Sequence, residues 1–360
     1  ILADGGVTNI VEELRSLKEI ALNAADDSNN NDDRLTLQKQ FEQKMANINS
    51  IATDTEFNGN GFTVRHLCYA ASVTGESPME TPVGFFKTAE YVTIKNVKQN
   101  GVRIYIDGES SDGGDYYPVG ALVGSVNMVH VDSVTLANDS IQAPFAGGLV
   151  GFVSNSTISN ISGDDDIHIS NKVTINDGYA GSKAMSPVSD YQVFLGGLVG
   201  AAYRSENDDP TFENDSVKVD VHDYTTGHKS ALGGVAGLFS TTGESIVNVQ
   251  VYTKYKTSNE VIPSKISGGS AMGGLFGVKT VYVENNSARP GDFTMTGVRF
   301  DGLIYDAAPT AVVAVGGLIG LDSSLAGMTE RIVNGLAKVD IADSLKVAGN
   351  YRYYAGGLLG

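Results

Sequence analysis

Tryptophan is absent from this 360-residue chain, cysteine occurs once, and 25 Lys and Arg face 42 Asp and Glu. Each shortage removes a class of explanation. A single cysteine cannot form an intramolecular disulfide, and Cys68 is expected as a small apolar core residue near a domain junction. A formal net charge of -17 argues against nucleic acid and anionic membrane as partners. No apolar run reaches the roughly 20 residues that a membrane-spanning helix needs, so membrane insertion is not expected. The sequence lacks a secretory signal pattern, and Ile1 reads as an internal starting point.

Chemistry-bearing motifs are equally sparse. The five histidines, His66, His130, His168, His222 and His228, are scattered, and each is expected on a surface strand or loop. His-Glu-x-x-His, Gly-x-Ser-x-Gly and Cys-x-x-Cys do not occur. Asp164, Asp165 and Asp166, and the group Glu206, Asp208 and Asp209, lack the spacing of an EF-hand and read as solvated loops. No catalytic residue, metal ligand or cofactor is assigned, and the chain is not expected to be an enzyme. Tyrosines such as Tyr252, Tyr255, Tyr351, Tyr353 and Tyr354 read as cross-strand pairs that stabilise a sheet.

Present instead are two helical stripes and a repeat. Val7, Ile10, Val11, Leu14, Leu17, Ile20, Ala21 and Ala24 recur at intervals of three and four, which puts them on one face of a helix. A polar stretch from Asp26 to Asn31 interrupts the pattern. Asp32 or Asp33 is placed to cap a second helix, whose stripe runs through Leu37, Phe41, Met45, Ile48 and Ile51. The helical period ends at Thr55, Glu56, Phe57, Asn58 and Gly59, and a domain break is expected near Gly59 to Gly61.

From Val7 to Gly59 this segment resembles the N-terminal helical region of bacterial flagellins. The likeness rests on Leu14, Leu17, Lys18, Glu19, Ile20 and Ala21, the Asn/Asp/Ser loop, Leu37 with Gln38, Ile48, and the closing Thr-Glu-Phe-Asn-Gly. It implies a filament subunit that associates with copies of itself, with Leu14, Leu17, Ile20, Phe41, Met45 and Ile48 as packing residues. It also implies a C-terminal helical return outside this sequence and export through the flagellar channel to an extracellular filament. In flagellins sensed by a Toll-like receptor, the face matching Ser16, Lys18, Glu19 and Gln40 is part of the recognised surface. Ser16 stands where recognised members commonly carry Arg, and Gln40 where they commonly carry Glu, so weakened recognition is expected.

The remainder repeats a glycine phrase that ends at Gly124, Gly151, Gly200, Gly237, Gly277, Gly320 and Gly360, at intervals of 27, 49, 37, 40, 43 and 40 residues. Between phrases, Val126 to Leu136, Val217 to Val221, Val247 to Val251 and Leu336 to Ile341 alternate with the period of a half-buried strand. A unit that buries its apolar face only against the next copy builds a solenoid. Within each phrase the Leu and its apolar neighbour are expected to point into the core or sit at its margin. The paired glycines are expected to allow either close backbone approach or positive φ, with variable insertions on one side.

The phrase is similar to the GLUG-type repeat of bacterial surface proteins, some secreted peptidases and adhesins. The expected fold is therefore mainly β with an N-terminal α-helical hairpin, divided into a helical segment at 1–60 and a β-solenoid at 61–360. The outer part would be an acidic surface, open to glycan attachment on Ser, Thr or Asn, or to contact with host glycans. Two alternatives stay open: a non-flagellar adhesin that binds glycans or host protein, and a solenoid polysaccharide lyase.

Overall fold

The computed structural model describes residues 2–24, 34, 36–42, 44–45, 62–75, 82–110, 118–175, 191–203, 210–225, 228–241, 246–257, 260–280, 283–284, 287–288, 293–305, 312–323, 330–341 and 352–359. The chain is mainly β and opens with one long helix, α1 (Leu2–Ala24). Residues 34, 36–42 and 44–45 are also helical. Asp32, Asp33, Ile48, Ile51, the run from Thr55 to Gly59, Glu206, Asp208, Asp209, Tyr351 and Gly360 lie outside the described residues.

After residue 61 the strands of the described residues form three large sheets, with 18, seven and seven strands, in which neighbouring strands run parallel. The repeat explains this arrangement. Among the described residues, each of the seven glycine phrases contributes a short strand ending at its first glycine to one seven-stranded sheet, and the first six contribute a strand after their glycines to the other, as with Ser230–Gly233 and Ala236–Ser240. Every such strand pairs in register with its counterpart in the next turn: Leu195 faces Leu232, which faces Met272, which faces Val315. The intervening alternating runs fill the 18-stranded sheet, where Val134 pairs with Val97, and Ile169 with Val221.

Alternation selects which side chains enter the core. Leu122, Leu149, Leu198, Val235, Leu275 and Leu318 of successive phrases are fully buried, and so are the following Val123, Val150, Val199, Ala236, Phe276 and Ile319. They join Val97, Val134, Val217, Val251 and Phe300 from the large sheet in one continuous core. A second, smaller core lies on the other side of the phrase strands, where Phe145, Phe194, Ala201, Ala231, Leu238, Ala271 and Val278 meet.

The phrase glycines are required by closeness. Positive φ is confined, among the described glycines, to Gly101, Gly108, Gly268 and Gly297, none of which belongs to a phrase. A Cβ at Gly197 would fall 2.2 Å from the Gly234 carbonyl oxygen and 2.4 Å from Val219 Cγ1. Of the two roles the sequence left open for these residues, tight backbone approach is the one realised.

Positive φ appears instead in a column of small polar residues. Asn96, Ser133, Asn160, Asn214, Asn248, Gly297 and Asn334 have φ between 53° and 65°. The flanking strand registers stack them one above another through successive turns. Asparagine tolerates this conformation better than most residues, and its amide can bond to its neighbour. Asn248 Nδ2 donates to Asn214 Oδ1 at 3.1 Å.

A turn also precedes the first glycine phrase: Val83 bridges Val119, and strand Phe86–Glu90 pairs with Val123–Asn127, although Val83-Gly84-Phe85 carries only one glycine. Two expectations require correction. Insertions leave from more than one corner. The hairpin of Lys254–Thr257 with Glu260–Ile262 interrupts the large sheet, and Val283–Glu284 with Ser287–Ala288 follows a phrase strand. Cys68 is exposed, because its alternation partner Arg103 lies on the outward side of its ladder.

Candidate functional site

The helical segment leaves several large apolar side chains in water. On α1, Leu17 is 6% exposed, whereas Leu14 is 52% and Leu22 is 64% exposed. Ile20 and Phe41 are half-buried, and Met45 on the second helical stretch is exposed. Lys44 Nζ lies 2.8 Å from Glu13 Oε2, which ties that stretch to α1. The stripe thus divides into an inward contact at Leu17 and open positions at Val11 and Leu14, which the exposed Leu22, outside the expected stripe, extends into a ridge. Of the remaining positions singled out on this surface, Ser16 is half-buried, and Lys18, Glu19 and Gln40 are exposed.

The repeat glycines form a structural column. Added Cβ atoms at Gly124, Gly151, Gly200, Gly237, Gly277 and Gly320 would each come within 2.4–2.7 Å of a neighbouring atom. These positions hold the two phrase ladders together and carry no reactive group.

Histidine placement departs from expectation at one position. His228 is buried, with Nε2 2.9 Å from Asp223 Oδ2. Asp223 Oδ1 also accepts from Asn171 Nδ2 at 3.1 Å, from the Thr225 N–H at 3.0 Å and from Thr225 Oγ1 at 2.7 Å. This cluster fastens a corner, since Asn171 and Asp223 are register partners in adjacent turns. No sequence motif marks it; the burial follows from stacking between turns.

On the outer face, His130 Nε2 lies 2.9 Å from Ser159 Oγ, and Ser159 Oγ donates to Asp132 Oδ1 at 3.1 Å. The carboxylate contacts the hydroxyl rather than the imidazole, so it does not orient a general base. Another outer group joins His168 to Asp220 at 3.5 Å, sets the His222 and Tyr224 rings 3.9 Å apart, and places Lys172 Nζ 5.1 Å from the Tyr224 ring centre. Among the described residues, no group of three His, Cys, Asp or Glu side chains is placed to hold a metal ion. Asp164, Asp165 and Asp166 fall where strand Ser162–Asn171 shifts register against Ser216–Asp223, so they mark a bulge rather than a loop between elements. No described helix is long and apolar enough to cross a membrane.

Comparison with known proteins reaches only the helical segment. Over 58 residues the chain is 40% identical to the flagellin of Aquifex pyrophilus and, again over 58 residues, 40% identical to that of Aquifex aeolicus strain VF5. The match covers 16% of this chain, and 12% and 11% of those two proteins. No solved structure matches the chain. Residues 2–62, which carry the open apolar ridge, match the bacterial flagellin N-terminal helical region.

Proposed function

We propose that this chain is part of a structural subunit of a bacterial flagellar filament, assembling through its helical segment and acting by polymerisation rather than turnover. One observation carries the reading: within the flagellin-like segment, Leu14 and Leu22 stand in water while Leu17 is covered. Burying a leucine contributes about 1.5 to 3 kcal/mol, so a ridge of several supplies a strong drive to associate. Leu14 and Met45 serve the subunit contact in this reading. Leu17, Ile20 and Phe41 hold the helices together, and Ile48 extends the stripe.

The filament would be extracellular, with residues 1–60 in its wall and 61–360 projecting as a β-solenoid of GLUG type. In-register parallel pairing of successive phrases supports the solenoid reading. An innate immune receptor would meet a weakened surface at Ser16 and Gln40, because neither can supply the charge-assisted contact of Arg or Glu. Reporter-cell titration tests this, with potency equal to that of a strongly sensed flagellin as the contrary result.

A second reading, a surface adhesin that binds glycans or host protein, draws on the exposed Tyr105 and Tyr224 of the outer face. Electron microscopy of the intact protein separates the two. Filaments that vanish when Leu14 and Leu22 are both changed to serine support the flagellin reading, whereas intact protein that never forms fibres favours the adhesin.

A further inference from the structure

Two aspartates occupy the interior of the stacked turns. Asp139 and Asp215 are both fully buried. Strand registers put Asp215 on the rung between Ile161 and Val249, in a column that also carries Val97, Val134 and Val298. Its Oδ1 accepts the Ile161 N–H at 2.9 Å, while Oδ2 is buried with no hydrogen-bond partner. The charged groups beside it are Glu213, two residues before it in the chain, and Asp132 two turns away, so neither neutralises it.

Asp139 has more company. Its Oδ1 accepts the Val102 N–H at 2.8 Å, and Oδ2 accepts from Gln99 Nε2 at 2.7 Å. Gln99 Nε2 also donates to the Gly148 carbonyl at 3.1 Å, linking the large sheet to a glycine phrase across the core. The charged side chain beside Asp139 is Arg103, whose guanidinium is held by the Val102 and Asn138 carbonyls.

We propose that these two carboxyls make the stack a pH-responsive scaffold, tightened when Asp139 and Asp215 are protonated and loosened when they ionise inside the core. The physical basis is the cost of placing charge in an apolar interior, which the backbone contacts of Asp215 with Ile161 and Glu213 do not offset. Burial pushes the Asp139 carboxyl up to about 6, against the opposing influence of Gln99, the Val102 N–H and Arg103. Burial raises Asp215 as well, and the negative charge of Glu213 and Asp132 adds to the rise.

Linkage fixes the sign. The folded chain keeps a proton on Asp139 up to about pH 6, whereas the ordinary value of an aspartate is 3.8. Between those values the native state binds more protons than the unfolded state, so stability grows as pH falls through this window. It is lowest once pH exceeds the folded value. Asp215 extends the same trend upward in pH.

Thermal unfolding of the protein between pH 4.5 and 8 tests the proposal, using Asp139→Asn, Asp215→Asn and the exposed control Asp107→Asn. Acid also relieves the repulsion of a chain with net charge -17, and the control carries that shared effect. The unfolding midpoint of the unaltered protein should rise as pH falls from 8 to 4.5. Each interior substitution should flatten that rise, and Asp107→Asn should keep it. Equal slopes in all four proteins would overturn the proposal. Carbon-13 titration of the carboxyl groups in the unaltered folded protein gives a reading independent of variant folding. An Asp139 midpoint near 6 with Asp215 above the ordinary range supports the scaffold, and midpoints near 4 for both refute it.

Discussion

Lys279 and Asp322 sit on consecutive rungs of one column, with Lys279 Nζ 3.6 Å from Asp322 Oδ1. Earlier rungs of the same column carry Ala89, Val126, Val153, Ala202 and Phe239. The lysine is fully buried, and its ammonium stands 4.5 Å from the Phe293 ring centre. Desolvation lowers its proton affinity, while Asp322 opposes that shift.

A pair of this kind contributes little net stability yet is costly to break on one side. Asp322→Ala alone should destabilise the protein by up to about 3 kcal/mol, because it removes the carboxylate that faces a buried ammonium. The double change Lys279→Met with Asp322→Leu should restore stability to within about 1 kcal/mol of the starting protein or exceed it. Urea denaturation of Asp322→Ala, of Lys279→Met and Asp322→Leu singly, and of the double variant measures the coupling.

Glycine at the phrase arches gives a sharper contrast. Gly197→Ala places a Cβ 2.2 Å from a backbone oxygen of the next turn, which no rotamer change relieves. A loss of more than about 3 kcal/mol, or failure to fold, is expected. At Gly163 the nearest atom to an added Cβ is Ile167 Cδ1 at 3.0 Å, the far end of a side chain that can shift, so Gly163→Ala should cost less than about 1 kcal/mol. Circular dichroism melts of the two variants decide the matter.

The left-handed column predicts an unusual order of substitution. Asn96 has φ 57° and is exposed, and Gly297 occupies the same column. Asn96→Gly should therefore be nearly neutral, whereas Asn96→Val should cost about 1 to 2 kcal/mol through the strain of a β-branched residue at positive φ. Denaturant midpoints for the pair test the order; equal losses would contradict it.

On α1, buried and open leucines should behave differently. Leu17→Ala should reduce helix content of the soluble subunit, because that side chain already packs. Leu14→Ser with Leu22→Ser should leave subunit melting unchanged and abolish fibre formation. Scattering growth curves and melting curves on the same preparations separate the two effects.

Much of the architecture was legible because apolar period and glycine spacing act locally. The Leu14 to Ile20 stripe reads as a helix, and the phrases from Gly120 onward locate the ladders turn by turn. The turn at Val83 escaped because it lacks the paired glycines, and only its strand register reveals it. His228 escaped for another reason: its direct partners Asp223 and Thr225 are near in sequence, but they are themselves tied to Asn171 of the neighbouring turn, and nothing local marks that stacking. The asparagine corner was visible after the fact, in Ile94-Lys95-Asn96-Val97, Ile158-Ser159-Asn160-Ile161 and Ile246-Val247-Asn248-Val249. Its variable spacing hid it behind the stronger glycine signal.

The hairpin at Lys254–Thr257 and Glu260–Ile262 departs from the large sheet, which resumes at Ser264–Ser267 in register with its neighbours. Doubling the length of such a connection costs only about 0.6 kcal/mol of closure entropy. The exterior of this protein can therefore be redecorated, by natural drift or by splicing a foreign peptide between Thr257 and Glu260, while the wall behind it keeps its shape.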